Sequence, residues 1–140
     1  MLRVYLDGAV VPGTGSASRN LEKQIPLIAK EFPEVANCHR GSINFSLECA
    51  LRIDHPDHTT EIIAWQEHEE EVFGFLRIHL AYPVDAAPKR AWIYIPHNSP
   101  HFRNCFQVEV IAEKIEGLAL HSRCRIYIPR GRFDPGGLVV

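Results

Sequence analysis

The chain has 140 residues, of which 46% are hydrophobic and 23% charged, with a formal net charge of −2. That is enough for one domain with a real core, and the near-neutral balance supplies no basic field for wrapping nucleic acid. No apolar run approaches the ~20 residues that cross a bilayer, and the opening Met1-Leu2-Arg3 lacks a signal-peptide layout, so the expected location is the cytoplasm.

Residues 3–11 read as a strand interrupted at Gly8, where a bulge or a close backbone contact is expected. A small-residue loop, Pro12 to Ser18, follows. Leu21, Ile25, Ile28 and Phe32 then recur at near-helical spacing, with Pro26 placing the regular helix from about Ile25. Beyond Pro33 the pattern turns to β. Residues 42–49, 60–66, 72–82, 90–96, 106–112 and 123–129 are rich in branched and aromatic side chains. Glu67 to Glu71 reads as a solvated hairpin tip, and 112–118 as a short turn ended by Gly117. Residues 130–140 read as a tail, mobile or packed only by its last valines. Many short strands with one main helix predict a closed, mainly β barrel of six to seven strands over residues 1–129.

Cys38, Cys49, Cys105 and Cys124 show no C-x-x-C spacing, which argues against a zinc ribbon or a disulfide framework. Two histidine clusters, His55/His58 and His97/His101, raise a metal reading, but neither supplies the three or four convergent ligands that zinc needs. His97 and His101 follow a strand and sit among prolines, a placement suited to the rim of a pocket. Arg123, Arg125, Arg130 and Arg132 read as a solvated strand face.

The most informative stretch is Arg40-Gly41-Ser42-Ile43-Asn44-Phe45-Ser46-Leu47. In a strand, Ser42 and Asn44 share one face while Ile43, Phe45 and Leu47 take the other. A hydroxyl and an amide carbonyl are hard, uncharged oxygen ligands suited to Mg2+, with a nucleotide supplying most of the negative charge. The loop holding Gly13, Thr14, Gly15 and Ser16 offers successive backbone N–H groups for phosphates, though it is neither a Walker loop nor a dinucleotide fingerprint. Glu109 and Glu113 are carboxylates set in and just after an apolar strand. One of them could accept the proton of an attacking hydroxyl in phosphoryl transfer.

Three blocks in this order resemble the CTP-dependent riboflavin kinases of archaeal type, which are cradle-loop barrels. They are Gly8 to Ala17, Gly41-Ser42-Ile43-Asn44-Phe45-Ser46-Leu47, and Glu109-Val110-Ile111-Ala112. The resemblance implies a kinase that transfers the γ-phosphate of a nucleoside triphosphate, CTP by family habit, to the ribityl 5′-hydroxyl of riboflavin, giving FMN. It implies Mg2+ on Ser42 and Asn44, the nucleotide along Gly13, Thr14, Gly15 and Ser16, and a ligand cleft from the Trp92–His101 and 109–113 segments, including His97, His101 and Glu113. Glu109 is the expected base, and composition argues against a nucleic-acid or membrane partner. The loop departs from the family's Ser-Gly-x-Gly-Glu-Gly at Pro12, Ser16 and Ala17, and Glu113 stands where the family has Pro. The alternative is therefore a flavin- or nucleotide-binding barrel without the reaction.

Overall fold

The computed structural model describes residues 4–13, 17–97 and 106–140. Six antiparallel strands close into a barrel: β1 (Val4–Val10), β2 (Ile43–Leu47), β7 (Phe73–Ala81), β8 (Lys89–Pro96), β9 (Gln107–Ala112) and β10 (Arg123–Ile128). Their order around the wall is β10-β1-β2-β9-β8-β7, and β7 meets β10 again through Arg125↔Ala81, Ile126↔Leu80 and Tyr127↔His79. Closure leaves these strands without long open edges. A short strand, β4 (His58–Thr59), takes the remaining edge of β7 beside Gly74 and Phe75.

Alternation sorts each strand between two apolar layers. Leu6, Phe45, Leu76, Ile78, Ile93, Val110 and Ile126 point into the barrel and are essentially buried. Their neighbours Phe73, Phe75, Trp92, Tyr94 and Ile111 point outward and are covered by α1 (Ala17–Ile28) and the segment after it. Gly8 makes the close backbone contact expected of it, because a Cβ there would lie 2.9 Å from the Ser46 carbonyl oxygen.

The helix begins well before Ile25 and carries Pro26 inside its last turn. Proline in a helix interior costs about 3 kcal/mol. Leu21, Ile25 and Ile28 are fully buried, and at about 1.5–3 kcal/mol per buried aliphatic side chain they outweigh that cost. Thr60 still bonds β7, its N–H donating to the Phe73 carbonyl at 2.8 Å, but the residues after it leave the barrel wall. Instead β5 (Ile63–Gln66) pairs with β6 (Glu69–Glu71) as a separate hairpin, turning at His68 in a left-handed conformation (φ 64°). Ile63 and Trp65 pack from that hairpin onto the helix layer, and Glu71 is buried, so only part of the expected acidic tip is solvated.

The C-terminal residues are built in. β11 (Arg132–Asp134) and β12 (Gly137–Val139) form a hairpin, and β12 runs parallel to β3 (Leu51–Arg52). Leu138 and Val140 enter the barrel's core cluster. The expected tail therefore plugs one end of the barrel, because its last apolar residues have an apolar surface within reach. Residues 113–122 contain turns only, with Gly117 at φ 79°. Among the described residues no helix is long and apolar enough to cross a membrane.

Candidate functional site

β2 puts Ile43, Phe45 and Leu47 into or against the barrel core, which turns Asn44, and Ser42 just before the strand, to the outer face. Asn44 is 7% exposed. Its Oδ1 and the Ser42 Oγ are both buried and have no hydrogen-bond partner among the described residues. Leaving such an oxygen unsatisfied costs about 1–3 kcal/mol. The two lie two residues apart on one face, where a shared water, ion or ligand would satisfy both. Neutral hydroxyl and carbonyl oxygens fit a hard cation such as Mg2+ and offer nothing to a soft one.

Gly13 lies against the Asn44 amide. A Cβ at Gly13 would sit 2.3 Å from Asn44 Nδ2, so any larger residue there must push the amide aside. The Val11 N–H donates to the Asn44 carbonyl at 2.9 Å and holds the loop's start there. Thr14, Gly15 and Ser16 lie outside the described residues.

Register carries the site across the sheet. Asn44 is opposite Glu109, and Glu109 is opposite Tyr94, so the three stand in one row on the outer face. Glu109 is half-buried there. The Tyr94 hydroxyl donates to Gln24 Oε1 of α1 at 2.5 Å, both residues being buried. Burial, reinforced by the charges of Glu109 and Glu71, pushes the Tyr94 phenol up, so it keeps its proton at neutral pH.

Toward the start of β8 and the end of β9 lies a cavity of about 400 Å3 whose walls include Glu34, Asn37, Lys89, Arg90, Trp92 and Glu113. Trp92 and Ile111 are register partners. Since Ile43 is opposite Val110, Ser42 flanks Ile111 on its other side. Two strand spacings, about 10 Å, thus separate Ser42 from Trp92 along the outer face. The volume falls in the range of small-ligand pockets. Cys38, also on the wall, is pushed up to about 12 by burial and stays a neutral thiol.

Two members of the expected flavin set, His97 and Glu113, stand apart. His97 follows the C-terminal end of β8 with its Nε2 over Gly74, 3.6 Å from where a Cβ would be. Glu113 follows β9 beside the opposite end of β8, where Ala112 pairs with Ala91. The antiparallel register that joins β8 to β9 sends these two residues to opposite ends of the barrel. His101 and Cys105 lie outside the described residues. His58 is stacked on Phe32 with ring centroids 4.6 Å apart, and no group of three or more His, Cys, Asp or Glu side chains suited to a metal occurs among the described residues.

Glu34, Asn37, Lys89 and Arg90 carried no signal in the sequence. Each reads as an ordinary surface residue until the segment after α1 folds back over β8, a turn held by the His39 N–H donating to the Ala112 carbonyl at 2.8 Å. Against known proteins, the chain matches no family model and no curated sequence.

Proposed function

We propose that this barrel is a Mg2+-dependent kinase that moves the γ-phosphate of a nucleoside triphosphate, CTP in the first instance, to the ribityl 5′-hydroxyl of riboflavin. The observation that carries the reading is the pair of buried oxygens, Ser42 Oγ and Asn44 Oδ1, which share one face without a hydrogen-bond partner among the described residues, with Gly13 against the Asn44 amide. These two residues would hold Mg2+, which when bound neutralises phosphate charge and orients the transferring group. Phosphoryl transfer asks a protein mainly for position and charge complementarity, and in this reading the metal on Ser42 and Asn44 would supply the charge.

In this reading Gly13 lies along the triphosphate. Glu109, next to Asn44 in the row, accepts the proton from the acceptor hydroxyl as the O–P bond forms. The cavity beside Trp92 and Glu113 receives the ring system of the acceptor and keeps water from it. Trp92 on its wall lies across Ile111 from Ser42, which supports an acceptor held near the phosphate.

The test is to incubate the protein with riboflavin, Mg2+ and either CTP or ATP and to separate the products by chromatography. FMN should form, and Asn44→Ala should abolish most of it. Full activity in Asn44→Ala removes the metal assignment, while quenching of riboflavin fluorescence with no FMN selects a binding barrel without catalysis.

A further inference from the structure

The cavity wall is organised by one carboxylate. Glu34, on the 3-10 turn Pro33–Val35, accepts from Arg77 Nε at 2.9 and 3.1 Å and from Arg77 Nη2. It also accepts from the Trp92 indole Nε1 at 3.1 Å and from Arg90 Nη2 at 3.5 Å. The Arg90 guanidinium lies over the Trp92 ring, 5.2 Å from its centroid. Of these partners, Arg90 and Trp92 belong to the cavity wall with Glu34 itself. Arg77 reaches Glu34 from β7, in the same outward row as Trp92, to which it is opposite.

Trp92 is buried, so close packing already confines its ring. The indole N–H bond to Glu34 and the guanidinium laid across the ring add direction to that packing and set the tilt of the plane. The fork from Arg77 in turn fixes the carboxylate. Such an arrangement suits a flat ligand more than a flexible chain, because a rigid wall recognises a rigid face at low entropic cost.

Resting on the reading of the cavity as the acceptor pocket, we infer that Glu34 is the positioning residue that sets the Trp92–Arg90 wall against which a planar heteroaromatic acceptor lies. It touches neither the phosphate nor the reacting hydroxyl. Its removal should therefore weaken acceptor binding and leave nucleotide binding and the chemical step alone.

The experiment has two arms on the full chain: a riboflavin titration followed by fluorescence quenching, and calorimetry with Mg2+ and CTP. Glu34→Gln keeps the size of the side chain but loses the charge that holds Arg77 and Arg90. Riboflavin affinity and KM should worsen about tenfold, while CTP affinity and kcat at saturating riboflavin stay within about twofold. Asp7→Asn is the control. It breaks the ion pair with Arg125 between β1 and β10, neither residue lining the cavity, so stability falls while riboflavin affinity should be retained. Wild-type riboflavin affinity in Glu34→Gln, or equal losses in Glu34→Gln and Asp7→Asn, overturns the inference and leaves the kinase reading standing. Wild-type protein that takes up Mg2+ and CTP but no riboflavin overturns the acceptor reading as well.

Discussion

Gly13→Ala isolates the geometry on which the candidate site depends. The added Cβ would lie 2.3 Å from Asn44 Nδ2 and 3.0 Å from Asn44 Cγ, with no backbone group of Asn44 among its closest contacts. An ordinary van der Waals separation requires the amide or the loop to retreat by about 1 Å, a misplacement that in an active site costs on the order of 100-fold, or about 2.7 kcal/mol of transition-state stabilisation. The fold should lose much less. Asn44 Oδ1 makes no hydrogen bond among the described residues that could be broken, and Gly13 is exposed and not held at positive φ. The assay is kcat/KM for FMN formation beside the thermal midpoint, in a cycle of Gly13→Ala, Asn44→Ala and the double variant. If the methyl acts by displacing the amide, the two losses are strongly non-additive, and the double variant is no worse than Asn44→Ala. Additive losses, or a Gly13→Ala protein with wild-type kcat/KM, would refute the argument that the loop and the amide form one site.

The pH dependence of stability follows from two carboxylates. The Arg77 hydrogen bonds hold Glu34 below its ordinary value of 4.5, and those of Arg125 hold Asp7 below 3.8. With folded values depressed, the folded state binds fewer protons than the unfolded one. Both contributions are therefore complete above about pH 5 and disappear as pH falls through the folded values. The thermal midpoint should drop over that acid range, and Asp7→Asn with Glu34→Gln should flatten the drop; an unchanged slope would show that these pairs do not govern it. Leu138→Ala tests the C-terminal plug. Leu138 is 1% exposed and belongs to the barrel core cluster, so urea unfolding should show a loss of about 2–5 kcal/mol. A loss below about 0.5 kcal/mol, the usual size for surface substitutions, would mean the plug is not part of the cooperative unit.

Much of the wall of this barrel was readable in the order of its residues. Strand alternation depends only on neighbours, so the division of Ile43, Phe45 and Leu47 from Ser42 and Asn44 follows from the pleat, and it held. The same local rule located β7 to β10 within a few residues. Rules of that range fail where distant burial overrides local preference. Pro26 argued for a late helix start, yet the buried faces of Leu21, Ile25 and Ile28 carry the helix through it. The last residues looked like a tail because nothing nearby in sequence could cover them, and Leu51 and the barrel mouth do so from some 85 positions away.

The candidate site divides along the same line. Two oxygens on one strand are a local pattern, whereas a cavity is a property of elements that meet. Asn44, Glu109 and Tyr94 share a row only because β2, β9 and β8 pair in one register, and that register also sends His97 and Glu113 to opposite ends. Glu34 is the clearest case. Its carboxylate acquires a role only when Arg77, Arg90 and Trp92, 43 to 58 positions away, converge on it. Amino-acid order settled the hydropathy period, and with it the strand faces; tertiary contact settled which faces meet, because closing a sheet joins residues that no local spacing relates.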